Sequence, residues 1–449
     1  MRVRTPANIR RYALITLAAL TICHLVFYLM NRSFILLHYA SPDLKSFYWA
    51  AQASFIHSTS PYDVTYLQHL ADGHVFPYLY PPSSLLLLSP LSSLSFSQAH
   101  LSLLLINHLM LPVIAVALTL ALKKWVPGKL NQAIMCCMIL NLLLLYAPAF
   151  GTIALGQVNL IVLLFLTLFI LALQANSHPA LCALLLAIPI LLKTYPALLL
   201  ILLLTQKRYR ILCTTILILM LLMLLSAYVL PAGLWQIWLS EIVPRGHYGG
   251  IPEGLNAANV PWNQNINALM NRNVTFLSRN GFSYQWLSHF FNGLGYFISV
   301  GILATSVYYF RCANTQQYRN SVSNSLLEYG AILLVMVMIA PLTWDHHFVF
   351  VLPALLACIA HSSLDWRANK IKLLSLIIIT VLMSLKFKFS APIFNHGWTY
   401  LLASSKLFMV AWLWVICLRI TKQASAPSNV RLPVMASPST IEPIAAAAS

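Results

Sequence analysis

Apolar runs close to twenty residues long recur along almost the whole chain, and that pattern leaves few folds open. About 20 apolar residues in a helix cross the roughly 30 Å of hydrocarbon in a bilayer. Hydrophobic residues make up 60% of the chain and charged residues 8%, against roughly 25% charged in soluble domains. Within hydrocarbon every backbone polar group must be satisfied internally, so only helices and closed barrels span it. The alternating segments of a barrel are absent. The expected fold is therefore all-α: a polytopic integral membrane protein of about 10–12 transmembrane helices.

Candidate spans cover 11–30, 99–122, 130–149, 157–175, 211–231, 286–310, 325–343, 347–361, 373–385 and 400–418. The first resembles a signal peptide, with Arg10 and Arg11 before it, but no small-residue cleavage site follows, so a retained helix is expected. The apolar stretch 179–204 is interrupted by Pro189, Lys193 and Pro196. The run 83–95 is apolar, short and Ser-rich and reads as a partly embedded re-entry. Residues 1–422 form one membrane domain with large loops at 31–82 and 232–285, and 423–449 is an Ala/Ser/Pro-rich tail expected to be disordered.

A net charge of +18 would suit a nucleic-acid partner, but its distribution argues against one. Most of the 27 Lys and Arg residues cluster at alternate span ends, from Arg2/Arg4/Arg10/Arg11 to Arg419/Lys422/Arg431, as the positive-inside rule requires. With those clusters in the cytoplasm, loops 31–82, 150–156, 232–285, 344–346 and 386–399 face outward. In a bacterial inner membrane that side is the periplasm, and it carries Asp43, Asp63, Asp72, Glu241, Glu253 and Asp345. Both ends of 179–204 then come out cytoplasmic, although two full spans need about 40 residues. A short broken hairpin is inferred, its apex at Lys193-Thr194-Tyr195-Pro196. Such irregular backbone is tolerated at membrane depth only inside protein or beside a wet cavity.

The eight cysteines fall in or beside apolar stretches and read as packing residues. No metal site, cofactor, P-loop or Gly-rich dinucleotide fingerprint is assigned.

The groups able to carry chemistry are few in a chain with nine carboxylates. Asp43 opens a plausible amphipathic helix at 43–58, expected to lie along the interface. It reads either as a solvated first-turn carboxylate or as a general base whose burial against Tyr48 and Trp49 raises its proton affinity. Trp344-Asp345-His346-His347 sits at a helix mouth. Adjacent histidines lack the i, i+4 spacing of a metal pair, so metal binding is the least favoured reading beside packing and substrate hydrogen bonding, with Asp345 able to hold a histidine protonated for a phosphate. Lys193 either snorkels to the interface or binds an anionic headgroup from the hairpin apex. Tyr62 and Tyr80 flank the outer loop's aromatic run. Gly156-Gln157-Val158-Asn159 and Trp262-Asn263-Gln264-Asn265 supply amides suited to sugar hydroxyls, although ordinary loop composition explains either patch alone.

In their order along the chain, Asp43 with Tyr48, Pro61-Tyr62, Phe76-Pro77-Tyr78-Leu79-Tyr80-Pro81-Pro82, Gly156-Gln157-Val158-Asn159, Lys193-Thr194-Tyr195-Pro196, Asn263-Gln264-Asn265 and His346-His347 resemble glycosyltransferase family 87, membrane enzymes of the GT-C architecture. The resemblance runs from about Asp43 to the span after His347. It implies an inverting transfer of a sugar, mannose or another hexose or pentose, from a polyprenyl-phosphate donor to a lipid or glycan acceptor. Asp43 takes the position of the base. GT-C enzymes often carry two acidic residues in this loop, whereas here one Asp precedes the aromatics. Lys193, His346 and His347 are then expected on the donor phosphate. Tyr48, Tyr62, Tyr80, Gln157, Asn159, Trp262, Asn263, Gln264 and Asp345 are expected around the substrates. A carrier or flippase for a lipid-linked saccharide is the alternative, since broken helices and an intramembrane lysine fit that too. A non-catalytic scaffold is a third.

Overall fold

The computed structural model describes residues 7–250, 254–255, 258–313, 325–386 and 397–425. Glu253 and the tail beyond Ser425 lie outside the described residues. Among those described, every regular element is helical, and one isolated bridge pairs Asn263 with Trp344.

The chain opens with α1 (Ala7–Phe27), prolonged by a π turn to Leu37, and then α2 (Pro42–Phe55), α3 (Val64–Leu70) and α4 (Ser84–Leu88). Next come α5 (Phe96–Ala121), α6 (Lys129–Leu145), α7 (Ala147–Leu155) and α8 (Asn159–Gln174), followed by the arms of the hairpin, α9 (Pro179–Leu192) and α10 (Leu198–Thr205). The second half contains α11 (Tyr209–Val229), α12 (Ile266–Arg279), α13 (Tyr284–Ala313), α14 (Ser325–Ile339), α15 (Leu352–Ser363), α16 (Lys370–Ser384) and α17 (Ser405–Ser425).

At the centre stands α14, whose side chains from Leu326 to Met338 are buried on every face. A helix apolar all round has no solvent side and belongs inside a bundle. It packs on α15 and α17, and Gly330 makes the α15 contact possible: a Cβ there would lie 2.9 Å from the Ala354 Cα. Small residues that let backbones approach take the place of the hydrophobic drive that lipid removes. Around this core, α5 packs on α8, α8 on α9 and α9 on α11. The outer helices turn apolar residues such as Leu217, Leu221 and Leu224 of α11 outward, as a lipid solvent permits.

Six helical stretches are long and apolar enough to cross a membrane, among them Phe96–Ala121 and Tyr209–Val229. The α6–α7 pair would make a seventh, bent by 58°. The bend falls at Tyr146-Ala147-Pro148, where proline cannot continue the preceding helix. Several expected spans are shorter than twenty residues: α8 has 16, α14 and α16 have 15 each. Those in the core lose their outer turns to irregular backbone, tolerated because protein surrounds it.

The interrupted stretch folds as a hairpin. Lys193 adopts an extended conformation between α9 and a 3-10 turn at Tyr195–Ala197. Beyond α10 the chain turns at Gln206-Lys207-Arg208, where the Arg208 N–H donates to the Leu203 carbonyl at 2.9 Å. Nearby, Gln206 donates to Glu328 at the start of α14.

One expectation is corrected. Helix α2 starts one residue before the expected 43–58 stretch and ends at Phe55, and the side expected to meet the membrane is packed in protein: Leu44, Phe47, Tyr48, Ala50, Ala51 and Ala53 are buried. Its alanines allow α3, α4, α5 and α7 to close around it. The segment after it bends through α4 and a 3-10 turn (Ser89–Ser93) that packs against α2.

Candidate active site

The N-terminus of α2, the α7–α8 turn, the hairpin apex and the segment after α14 converge on a cavity of about 480 Å³. That volume lies within the roughly 300–1,000 Å³ usual for small-molecule sites. Asp43, Gln157, Lys193, Tyr80, His346 and His347 all line it.

Asp43 is the second residue of α2, after Pro42 at the first helical position. Helix N-termini favour negative charge. The side chain is buried, and Gln157 Nε2 donates to its Oδ2 at 2.8 Å. Burial raises the proton affinity of Asp43 above the ordinary carboxylate value, while the Gln157 hydrogen bond and the Lys193 charge oppose the rise.

Gln157 reaches Asp43 because Gly156 has no side chain. Gly156 sits at φ +71°, and a Cβ there would lie 2.6 Å from the Leu44 Cβ and 3.2 Å from the Ser41 Cβ. The turn between α7 and α8 therefore rests directly on the first turn of α2.

Lys193 is 3% exposed, and its Nζ donates to the Tyr80 hydroxyl at 2.8 Å. The same Nζ lies 3.5 Å from His347 Nε2. His347 Nδ1 accepts the Trp344 backbone N–H at 2.9 Å, so the neutral ring carries its proton on Nε2. Lys193 Nζ and the His347 Nε2–H thus converge as neighbouring N–H groups on the cavity wall. An anionic oxygen is a partner that suits both.

The supports behind these groups are specific. Tyr62 donates to the Tyr80 carbonyl at 2.8 Å and fixes the aromatic segment without lining the cavity. Asn159 Nδ2 and Thr152 Oγ1 donate to the His346 carbonyl at 3.3 and 3.2 Å, which holds the 3-10 turn Asp345–Val351. Tyr48 donates to the Leu94 carbonyl at 2.9 Å and locks α2 to the turn after α4.

Other expected substrate contacts lie elsewhere. Asp345 pairs with the fully buried Lys406 of α17, so its carboxylate does not hold a histidine protonated. A buried ammonium needs a counter-charge more than a neutral imidazole does. Trp262 is 39% exposed and outside the cavity wall. Asn263 accepts the Thr343 N–H at 2.9 Å and donates to the Ala258 carbonyl at 3.0 Å. Gln264 donates to the Ala403 carbonyl, and its backbone N–H to the Thr343 carbonyl at 2.8 Å. Asn263 thus braces Thr343 of the 340–344 segment, which lines the cavity, while the Gln264 side chain ties the loop to Ala403 and Lys406, and neither residue lines the cavity.

Tyr195, Trp238, Trp344 and Phe76 give the cavity its aromatic walls. Phe76, Tyr195 and Trp344 stood inside quoted motifs without an assigned role, whereas Trp238, tied to the Leu79 carbonyl at 3.2 Å, was missed. Arg272 was also missed. It is buried and donates to the carbonyls of Val260 and Asn263, each at 3.0 Å, and to Ser404 Oγ at 2.8 Å, knitting the long loop to α17. Among the described residues no group of three His, Cys, Asp or Glu side chains stands ready to hold a metal ion.

A family model described as glycosyltransferase family 87 matches residues 78–341, more than half of the chain. The match takes in Tyr80, Gln157 and Lys193, whereas Asp43 lies about 35 residues before its start and the histidine pair just after its end. No curated protein and no solved structure matches the chain. An all-helical membrane bundle with a polar cavity, together with a family match over most of the residues that shape it, leads to one assignment: the chain belongs to glycosyltransferase family 87 and is a membrane glycosyltransferase.

Proposed function

We propose that the enzyme transfers a sugar from a polyprenyl-phosphate donor to a hydroxyl of a lipid or glycan acceptor, with inversion, at the periplasmic face of the bacterial inner membrane. The observation that carries this reading is the presence, in one cavity, of a buried carboxylate together with two converging N–H donors. The carboxylate suits a proton, and the donors suit a phosphate.

In this reading the donor's phosphate oxygens lie against Lys193 and His347. The acceptor hydroxyl approaches the sugar from the Asp43 side. Asp43 takes the hydroxyl proton as the acceptor oxygen bonds to the anomeric carbon. The bond from that carbon to the phosphate oxygen breaks, and its electron pair leaves with the lipid phosphate. Charge builds on the departing phosphate, where preorganised donors are most effective. A phosphate needs charge stabilisation more than a proton, so no separate general acid is assigned. Holding both substrates in line supplies much of the remaining acceleration. The proton on Asp43 returns to water when product leaves.

The hexose or pentose carried is set by the cavity's aromatic walls, and mannose is the family-based expectation. Incubation of detergent-purified protein with a labelled polyprenyl-phosphate sugar and an alcohol acceptor tests the reading. Release of free polyprenyl phosphate, matched by sugar on the acceptor, is expected. Saturable binding without release would instead favour a carrier or flippase.

A further inference from the structure

Asp43 is held by more than its own helix, and the group that holds it has no assigned role in the chemistry. We propose that Gln157 is the positioning residue of the base: its amide fixes one carboxylate oxygen of Asp43, turns the other toward the acceptor, and sets the pH at which the carboxylate becomes active. The inference rests on the reading of Asp43 as the base.

Several independent features place this amide. Its Nε2 donates to Asp43 Oδ2 at 2.8 Å, leaving Oδ1 without a hydrogen bond among the described residues. Its backbone N–H donates to the Thr152 carbonyl at 2.9 Å, and its own carbonyl accepts from Asn107 Nδ2 at 3.2 Å. Gly156 brings that backbone against α2 at a separation no side chain permits. The Gln157 side chain is 5% exposed, and its Oε1 is buried with no hydrogen-bond partner among the described residues. Leaving a buried acceptor unpaired is unfavourable, and here it accompanies a charge-assisted bond to Asp43 on the same amide.

The surroundings make the bond matter. Burial favours the protonated acid, and the two opposing influences are the Gln157 hydrogen bond and the Lys193 charge. Tyr80, His346 and His347 share the cavity. Among the elements packed on α2, the segments Ser84–Ser93 and α7 carry no titratable side chain. Tyr66 and His69 of α3, and His100 and His108 of α5, do not line the cavity. Removing the amide leaves Lys193 alone against desolvation.

The test uses the full-length protein in detergent. The carboxyl stretch of Asp43 is followed by difference infrared spectroscopy and assigned by its absence in Asp43→Asn. The pH profile of kcat is recorded beside it. Gln157→Met keeps the side-chain volume and removes the donor. It should move the titration midpoint and the acid limb upward by about one to two pH units, with the donor KM unchanged. Gln157→Glu is isosteric and sets a second carboxyl against Asp43; the pair should share a proton and shift the limb upward as well. It serves as the variant of record where the Met protein does not fold. A midpoint that stays in place while Asp43→Asn is inactive overturns the role of Gln157 alone. An active Asp43→Asn removes the base and overturns both readings.

Discussion

Replacing Gly156 by alanine separates the close approach at the base from ordinary glycine effects. Two strains add. The residue sits at φ +71°, where a Cβ costs about 1–2 kcal/mol. The new methyl also lies 2.6 Å from the Leu44 Cβ, about 1 Å inside the usual 3.5–4.0 Å carbon contact. Overpacking of that kind costs about 1–3 kcal/mol, so the total is about 2–5 kcal/mol if nothing yields. If the turn retreats instead, Gln157 and Asp43 move apart by a fraction of that overlap, and misplacement near 1 Å lowers turnover by about 100-fold. Gly281 is the control, because it has φ +92° but no atom within 4 Å of its virtual Cβ. Thermal unfolding in detergent and kcat are measured for both variants. Gly281→Ala should show the backbone strain alone and keep its turnover, whereas Gly156→Ala should lose both stability and turnover. Equal behaviour of the two would refute the idea that the α7–α8 turn must touch α2 for catalysis.

Other outcomes follow from the same geometry. Lys193→Met should raise the donor KM and lower kcat at least tenfold, with acceptor KM unchanged, in steady-state assays; an unchanged donor KM contradicts the phosphate contact. Burial raises the proton affinity of Asp43 and only its ionised form can accept a proton. Activity should therefore fall on acidification at a pH above the usual carboxylate range near 4, and a profile flat down to that range contradicts the assignment. Asp345→Asn leaves the Lys406 ammonium buried without its carboxylate. It should lower the thermal unfolding temperature, and Asp345→Asn with Lys406→Met should recover part of the loss.

The sequence made the helical membrane class plain, because apolar runs of membrane length have almost no other reading. It also located the hairpin, since Lys193 and Pro196 interrupt the apolar run and the charge parity demanded a return, although Pro189 lies inside α9. It read less well wherever tertiary surroundings changed the meaning of a local pattern. Helix α2 carries the spacing of an interfacial helix, yet its small residues serve close packing inside the protein, which periodicity alone does not distinguish. The amides of Asn263 and Gln264 have the composition of a sugar site, but they serve buried backbone at Ala258, Thr343, Ala403 and Lys406 instead. Asp345 beside two histidines suggested a local pair; its actual partner, Lys406, is 61 residues away. Such long-range pairings leave no mark in spacing. Asp43 and Lys193 stood out because charge is rare in this chain, and rarity survives folding better than pattern does.

The central claim is that one cavity holds a base on one side and a phosphate site on the other. Single-turnover transfer from a labelled polyprenyl-phosphate sugar, with donor binding measured on the same preparation, tests it most directly in Asp43→Asn. The account predicts donor affinity within about twofold of the native protein and transfer reduced by 100-fold or more, in line with the roughly 10²–10⁴-fold contribution of a general base. Transfer at a near-native rate in that variant would contradict it.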